Sequence, residues 1–325
     1  MQRSLQNLKS LDSSIQISRN KVQTLQFKRI KKNISGVLLL DKPLGYSSNQ
    51  ALQKIKILYQ AAKAGHTGTL DPLATGLLPL CFGEATKFAH FLTDADKVYV
   101  ATVKLGITTN TGDAEGEVLS TKAVNVTQAK FEQACAQFVG EISQIPPMYS
   151  ALKHEGKAMY EYARAGVEIE RAPRVITIHS IALNSFADDV ATIIVKCSKG
   201  TYIRTLAEDI GNVLGCGSHL IGLRRTATAN YTIAQTVTMD QFVAMSESER
   251  TLALLPPDSA VQYLPEIILD ADSAFYLQQG QAVWQSGLIP KGLLRLYTEQ
   301  KVFIGLGEQQ SDGKITPRRL IVERT

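Results

Sequence analysis

The sequence predicts an α+β protein: a mixed, mostly antiparallel central sheet with flanking helices, joined to a small C-terminal β-barrel domain. Three observations point there. Stretches with strand alternation and stretches with helical spacing succeed one another without the regular strand–helix–strand rhythm of a parallel sheet. From Pro256 onward, prolines at 256, 257, 265 and 290 punctuate short β-like runs such as Gly292–Tyr297 and Lys301–Gly305, the texture of a small barrel. Finally, 44% of the 325 residues are apolar, enough for a real core, and no apolar run approaches the roughly 20 residues a membrane helix needs. Three segments follow: an arm at 1–33, a main domain at 34–255 and a C-terminal domain at 256–325.

Charge is distributed unevenly. Residues 1–34 hold eight Lys/Arg and one acid, a balance of +7, against +5 for the whole chain, so everything after carries −2. Bulk charge is therefore weak support for nucleic-acid binding, since the excess sits in the arm. The arm reads as a solvated basic tether; a weak amphipathic helix and an acid-poor transit-like segment fit the same composition. The start of the chain lacks the apolar core of a secretory signal, so a cytoplasmic location is expected. Cys81, Cys135, Cys197 and Cys216 are scattered without Cys-x-x-Cys or Cys/His metal spacing, which predicts buried free thiols and no metal.

Taken in order, Gly36–Leu40 is a buried strand and Asp41–Gly45 the turn leaving it. Ser47 or Ser48 caps a helix to about Gln60, with Leu52, Ile55 and Leu58 on one face. A short strand around Leu77–Phe82, a helix over Glu84–Leu92 and a strand over Lys97–Leu105 come next. Polar Thr108–Glu117 is an exposed loop. Thr127 caps a helix to Val139 with Phe131, Cys135 and Phe138 inward. After Pro146 and Pro147, Tyr149–Val175 interleaves Lys153, His154, Lys157, Arg164, Arg171 and Arg174 with Tyr160 and Tyr162. That pattern suits phosphate contacts and base stacking, and equally a helix whose cations face water. Val175–Leu183 and Val190–Cys197 are paired strands, Thr201–Leu214 a helix, and Ser218–Thr226 a further strand.

One stretch stands apart. Ala64–Gly76 contains three glycines, a proline and three threonines in thirteen residues, so it is expected to be a constrained loop. It has no lysine and is no phosphate cradle of the Gly-x-x-x-x-Gly-Lys type. Asp71 is left as its candidate for chemistry, although Asp-Pro is also an ordinary turn starter.

The run Gly65-His-Thr-Gly-Thr-Leu-Asp-Pro-Leu-Ala-Thr-Gly-Leu-Leu-Pro79, continuing into Gly83-Glu-Ala-Thr-Lys87, closely resembles the signature of the TruB family of tRNA pseudouridine-55 synthases. Further matches are Leu40-Asp-Lys-Pro43, Asp96-Lys-Val-Tyr99, Gln144–Lys153, Cys197–Thr205, Gly215–His219 and Leu223-Arg-Arg225, so the resemblance runs from about Gly36 to the C-terminus. It implies a pseudouridine synthase fold with a PUA-like RNA-binding C-terminal domain, and a thumb-like RNA-binding insertion at about 145–175. The implied activity is isomerisation of the T-loop uridine 55 of tRNA after the base is flipped out, without cofactor. The partner is then the T-arm of tRNA, with no guide RNA and no membrane, and the protein a monomer.

The resemblance also assigns residues. Asp71 falls on the catalytic carboxylate, Arg204 on the arginine paired with it, and Tyr99 on a tyrosine at the uracil that stacks or serves as acid/base. His66 matches the histidine entering the space the flipped base vacates, Tyr202 a pocket tyrosine, and Leu223 and Lys42 residues near the pocket. On residues alone, Arg204 reads as a surface arginine and Tyr99 and Tyr202 as core aromatics. Pairing is expected to keep Asp71 ionised against the desolvation that would protonate it. Asn110, within Thr109–Asp113, stands where an Asp is frequent in the family, and that segment is expected to lie apart from the catalytic set.

Overall fold

In the computed structural model, residues 31–287 and 290–322 are described. The central sheet is built from β1 (Gly36–Lys42), β2 (Ala74–Phe82), β3 (Lys97–Leu105), β4 (Gly140–Gln144), β5 (Arg174–Ala187), β6 (Val190–Cys197), β7 (Ser218–Thr228) and β8 (Val237–Thr238). Their order is β8-β1-β2-β7-β3-β6-β5-β4, and two short strands, Ala64–His66 and Tyr231–Thr232, add to β2 and β7 for ten among the described residues. Only β8–β1 and β2–β7 run parallel, so the sheet is mixed and mostly antiparallel, as predicted.

Local sequence accounts for each piece. In β3 the alternate residues Lys97, Tyr99, Ala101, Val103 and Leu105 are buried, the period of two a half-buried strand requires. Helix α1 (Ser48–Tyr59) begins at a capping box in which the Ser47 hydroxyl accepts from the Gln50 amide (3.2 Å) and the Gln50 side chain accepts from the Ser47 amide (2.8 Å). It buries Leu52 and Ile55 and ends where Gln60 turns left-handed, φ 54°. Helix α2 (Gln128–Ala136) starts from Thr127 and ends short of the expected Val139; it buries Phe131 and Cys135, and Phe138 packs against the same core. Helix α3 (Ile203–Val213) buries Leu206, Ala207 and Ile210 against that cluster. All four cysteines are buried and free.

The C-terminal sheet comprises β9 (Glu266–Leu269), β10 (Val283–Trp284), β11 (Gly292–Thr298), β12 (Phe303–Gln309) and β13 (Lys314–Leu320), in the order β9-β11-β12-β13-β10. It curls into a half-barrel around Leu269, Leu277, Leu294, Leu296 and Ile315. It is seated on the main sheet: Val37, Leu39, Leu77, Phe88 and Leu306 share one apolar cluster, the Phe88 and Phe303 rings lie 5.5 Å apart, and Lys87 Nζ donates to the Leu320 carbonyl at 2.7 Å.

The structure corrects several expectations. Ala64–Gly76 is not loop throughout, because Ala64–His66 pairs with the far end of β2 and Ala74 already belongs to β2. Glycine makes this possible: at Gly76 (φ +102°) a Cβ would stand 2.3 Å from the Arg225 carbonyl oxygen. Gly76→Ala is accordingly expected to destabilise the fold by about 3 kcal/mol through strain and overpacking, read as a lower urea midpoint at unchanged slope. The 107–121 segment is a hairpin, Ile107–Thr109 against Val118–Thr121, whose Thr109 and Asp113 are buried. Residues 84–92 form a 3₁₀ turn (Gly83–Phe88) followed by a short α-helix (Ala89–Asp94). Residues 1–30 of the basic arm lie outside the described residues. Its last part is anchored: Lys32 bridges to Ala61 through backbone bonds and its ammonium meets Glu247.

Candidate active site

The seven residues between the two strand ends, 67–73, are held from several sides. The Ser48 hydroxyl accepts from the Leu70 amide (2.8 Å) and donates to the Leu70 carbonyl (3.0 Å), fixing the residue before Asp71. The Gly45 amide donates to the Pro72 carbonyl (2.9 Å), and the Ala74 amide closes a turn onto the Asp71 carbonyl (3.0 Å). Lys42, fully buried, caps the carbonyls of Pro43 (2.9 Å) and Tyr46 (2.6 Å). Burial lowers its pKa to about 8, with the nearby Asp71 charge opposing.

Asp71 lies in a cleft of about 740 Å³ that Tyr99, Tyr202, Arg204, Leu223 and Arg225 also line. Arg204, on the first turn of α3, is 5% exposed. Its Nη2 reaches Asp71 Oδ2 (3.0 Å) and the Tyr149 carbonyl (2.6 Å); its Nη1 reaches Asp113 Oδ2 (3.4 Å) and the Thr111 carbonyl (3.0 Å). Four oxygens thus surround the two terminal nitrogens of one guanidinium, two carbonyls by hydrogen bonds and two carboxylates as ion pairs. The 109–113 segment, expected to lie apart, is in direct contact with Arg204. Asp113 is itself fixed, since its Oδ1 accepts from the Thr111 hydroxyl (2.6 Å) and the Glu115 amide (3.1 Å).

The electrostatics are closely opposed. Although 40% of the Asp71 side chain remains accessible, crowding by the cleft walls raises its pKa above the ordinary carboxylate value. Arg204 pulls it down and Asp113 adds to the rise, and desolvation dominates. Pairing is expected to keep Asp71 ionised, and Arg204 works in that direction by its charge and its hydrogen bond, limiting the rise without cancelling it. Glu208, one turn along α3, is pushed up to about 7 by burial and by Asp209.

The remaining sequence candidates divide. Tyr99 is 8% exposed, and burial raises its phenol pKa. Tyr202 is held by its main chain, whose amide donates to Gln144 Oε1 (2.8 Å) and whose carbonyl accepts from Gln144 Nε2 (3.1 Å). Leu223 lies on β7, paired with Ala74 and Ala101. His66 and Lys42 are not among the cleft-lining residues: His66 sits on the short strand opposite Leu80, its pKa lowered by burial, and its Nδ1 has no hydrogen-bond partner. Arg225, inside a matched motif, and Asp113, outside one, carry no sequence signal of their own; only the fold places Arg225 opposite Tyr99 and Asp113 against Arg204. The exposed 145–175 segment folds as a small hairpin (Lys153–His154 with Lys157–Ala158) and a helix (Met159–Arg164). Two of its tyrosines already carry cations: Lys157 lies 4.9 Å from the Tyr162 ring centre and Arg164 5.4 Å from that of Tyr160.

A mixed sheet bearing a tyrosine-lined cleft in which a loop aspartate is tied to a helix arginine, with a curled β-domain seated on the sheet, defines the pseudouridine-synthase class of fold. Residues 56–203 match the TruB family pseudouridylate synthase N-terminal domain, 204–276 the tRNA pseudouridylate synthase B C-terminal domain, and 265–321 the pseudouridine synthase II TruB C-terminal domain. The protein named tRNA pseudouridine synthase B of Methylobacillus flagellatus is 64% identical over 297 residues, covering 91% of this chain and 98% of the relative; that of Pseudomonas fluorescens is 52% identical over 300 residues. The chain belongs to the TruB family. Among solved structures, a chain of a Cbf5–Nop10–Gar1 complex superimposes with a TM-score of 0.67 at 27% identity, over 89% of this chain and 84% of that one. A chain of an H/ACA RNP bound to a substrate RNA containing 2′-deoxyuridine gives the same TM-score at 24% identity, which bears on the fold alone.

Proposed function

We infer that this protein isomerises uridine 55 in the T-loop of tRNA to pseudouridine. The observation that carries the reading is the Asp71–Arg204 pair, fixed at the floor of a cleft large enough for a flipped nucleotide and set in the family's own motif. The reaction breaks the N1–C1′ bond, turns the uracil over and joins C5 to C1′, so no atom is gained or lost. Asp71 acts on the sugar, as nucleophile at C1′ or as the base that removes the 2′ proton; both routes require it ionised and both release the uracil as an anion. Tyr99 and Tyr202 flank the base. The resemblance assigns His66 to the space the flipped base leaves, an exit that costs a few kcal/mol.

The protein is read as a monomer acting on tRNA without a guide RNA. Coverage of 98% of a relative named for tRNA, at 64% identity, supports this over the ribonucleoprotein likeness at 24–27%. The 145–175 segment and the C-terminal half-barrel supply the remaining RNA contacts. Four buried free thiols support a cytoplasmic location. Incubating the purified protein with unmodified tRNA transcripts and mapping pseudouridine tests the reading; folded protein that leaves uridine 55 unconverted would sink it.

The basic arm gives a separate expectation. Because Lys32 is anchored, truncation should stop after residue 30; it removes six Lys/Arg and one Asp, a net +5. Fewer phosphate contacts release fewer counterions, so tRNA affinity should fall less steeply with salt, by about 0.7–0.9 in log–log slope per lost contact. The single-turnover rate at saturating enzyme should stay the same. A slowed saturated rate with an unaltered salt slope would place the arm in the active architecture.

A further inference from the structure

Beneath the cleft lies a positive charge without a counterion. Arg225 is 1% exposed and is among the largest fully buried side chains. Two residues after Leu223 on β7, it joins Leu223 in lining the cleft, while Arg224 between them binds the Asp41 carboxylate with both nitrogens (3.0 and 2.6 Å). The Arg225 Nε donates to the Leu77 carbonyl (2.7 Å) and Nη2 to the Gly68 carbonyl (3.1 Å), and Arg225 stands directly opposite Tyr99 across the β7–β3 pair. The motif loop is shaped around it: at Gly68 (φ +73°) a Cβ would stand 3.1 Å from Arg225 Nη1. Lys97 lines the same cleft at 5% exposure, its ammonium given to the carbonyls of Leu92 (3.2 Å), Thr93 (2.5 Å) and Ala95 (2.5 Å). Among the described residues, neither cation has a carboxylate within ion-pair distance.

A buried, uncompensated cation is costly in the resting protein, and the cost is recovered when an anion forms beside it. We propose that Arg225, acting through the Tyr99 hydroxyl, forms an anion subsite whose ligand is the detached uracil. This rests on the isomerase reading above. When the N1–C1′ bond breaks, its electron pair stays on N1 and the ring carries one negative charge spread over its nitrogens and carbonyl oxygens. In this subsite Tyr99 accepts a hydrogen bond from Arg225 and directs its own proton at the ring, so the fixed charge stabilises the anion without titrating. When C5 supplies the pair that joins C1′, the charge passes back to Asp71, whose carboxylate is released from C1′ or returns its proton to C2′; the C5 proton then leaves and N1 takes one up. Arg225 is therefore a positioning residue, and the alternative is that it only buttresses Gly68.

The two roles separate by substrate electronics. The rate of N1–C1′ cleavage is measured in single turnovers on a T-arm RNA carrying uridine or 5-fluorouridine at the target, as loss of the intact nucleoside; fluorine makes the departing ring a more stable anion. Arg225→Met should slow cleavage of uridine about 100-fold, as for loss of one charge-stabilising donor. The loss on 5-fluorouridine should be smaller, raising the 5-fluorouridine/uridine rate ratio about tenfold over wild type. Equal losses on both substrates would make Arg225 a buttress and overturn the proposal. Should Arg225→Met fail to fold, Tyr99→Phe leaves Arg225 in place but breaks its link to the base: the same rise in ratio is expected, and an unchanged ratio overturns the proposal. Wild-type protein that leaves uridine intact would instead overturn the isomerase reading, and this inference with it.

Discussion

Replacing Asp71 with Asn is expected to abolish pseudouridine formation, by about 10⁴-fold or more in single-turnover rate, while leaving tRNA affinity within a few-fold of wild type. Carboxylate and amide have nearly the same shape, so the loop bonds from Ser48 to Leu70 and from Gly45 to Pro72 are untouched. What is lost is the charge and the lone pair that attack the sugar or take its proton. On the proposed reading, RNA contacts come from elsewhere, the 145–175 segment and the basic arm, so a filter-binding or fluorescence titration should separate affinity from turnover. Activity comparable to wild type would remove Asp71 from the mechanism.

How much of this was legible in the sequence depends on whether the signal is local. Alternation in Lys97–Leu105, the Ser47 and Thr127 caps and the apolar face of α1 are short-range patterns, and each produced its element nearly in place. The Gly/Pro-rich Ala64–Gly76 run misled, because composition reports backbone freedom and not how it is used. At Gly76 that freedom lets β2 approach the Arg225 backbone, which keeps Ala74–Gly76 inside the sheet. Charged residues misled in the opposite direction. Lys42, Lys97, Arg204 and Arg225 would ordinarily be placed at the surface, yet all four are nearly or fully buried. Their partners are mostly carbonyl groups of turns and helix ends, fixed only by the fold. The link from Asp71 through Arg204 to Asp113 joins residues more than 40 positions apart, and in sequence only its first two members were singled out. Asp113 lay in plain view in a segment read as an exposed loop, because nothing local distinguishes an Asx turn at the surface from one aimed at a buried arginine.

Arg204→Met should be nearly inactive for a different reason, and its pH profile carries the proof. In the wild type, burial raises the Asp71 pKa and Arg204 opposes the rise by its charge and its hydrogen bond. Only the ionised form reacts, so activity should fall on the acid side at a pH above that of an ordinary aspartate. Removing Arg204 deletes the opposing influence; the folded-state pKa climbs further, and the acid limb of the residual activity moves to higher pH. The same substitution leaves Asp113, whose side chain is 4% exposed, without its cation, so a loss of about 3–5 kcal/mol of stability accompanies it. Arg204→Lys separates the two effects. An ammonium restores a positive charge between the carboxylates, but its three hydrogens on one nitrogen cannot span four acceptors fixed by the planar fork. The lysine variant should recover most of the stability and return the acid limb toward wild type, while its rate stays at least about tenfold low because Asp71 is no longer held in position. An acid limb identical in all three proteins would show that Arg204 does not set the ionisation of Asp71, and would leave it the single task of binding loops together.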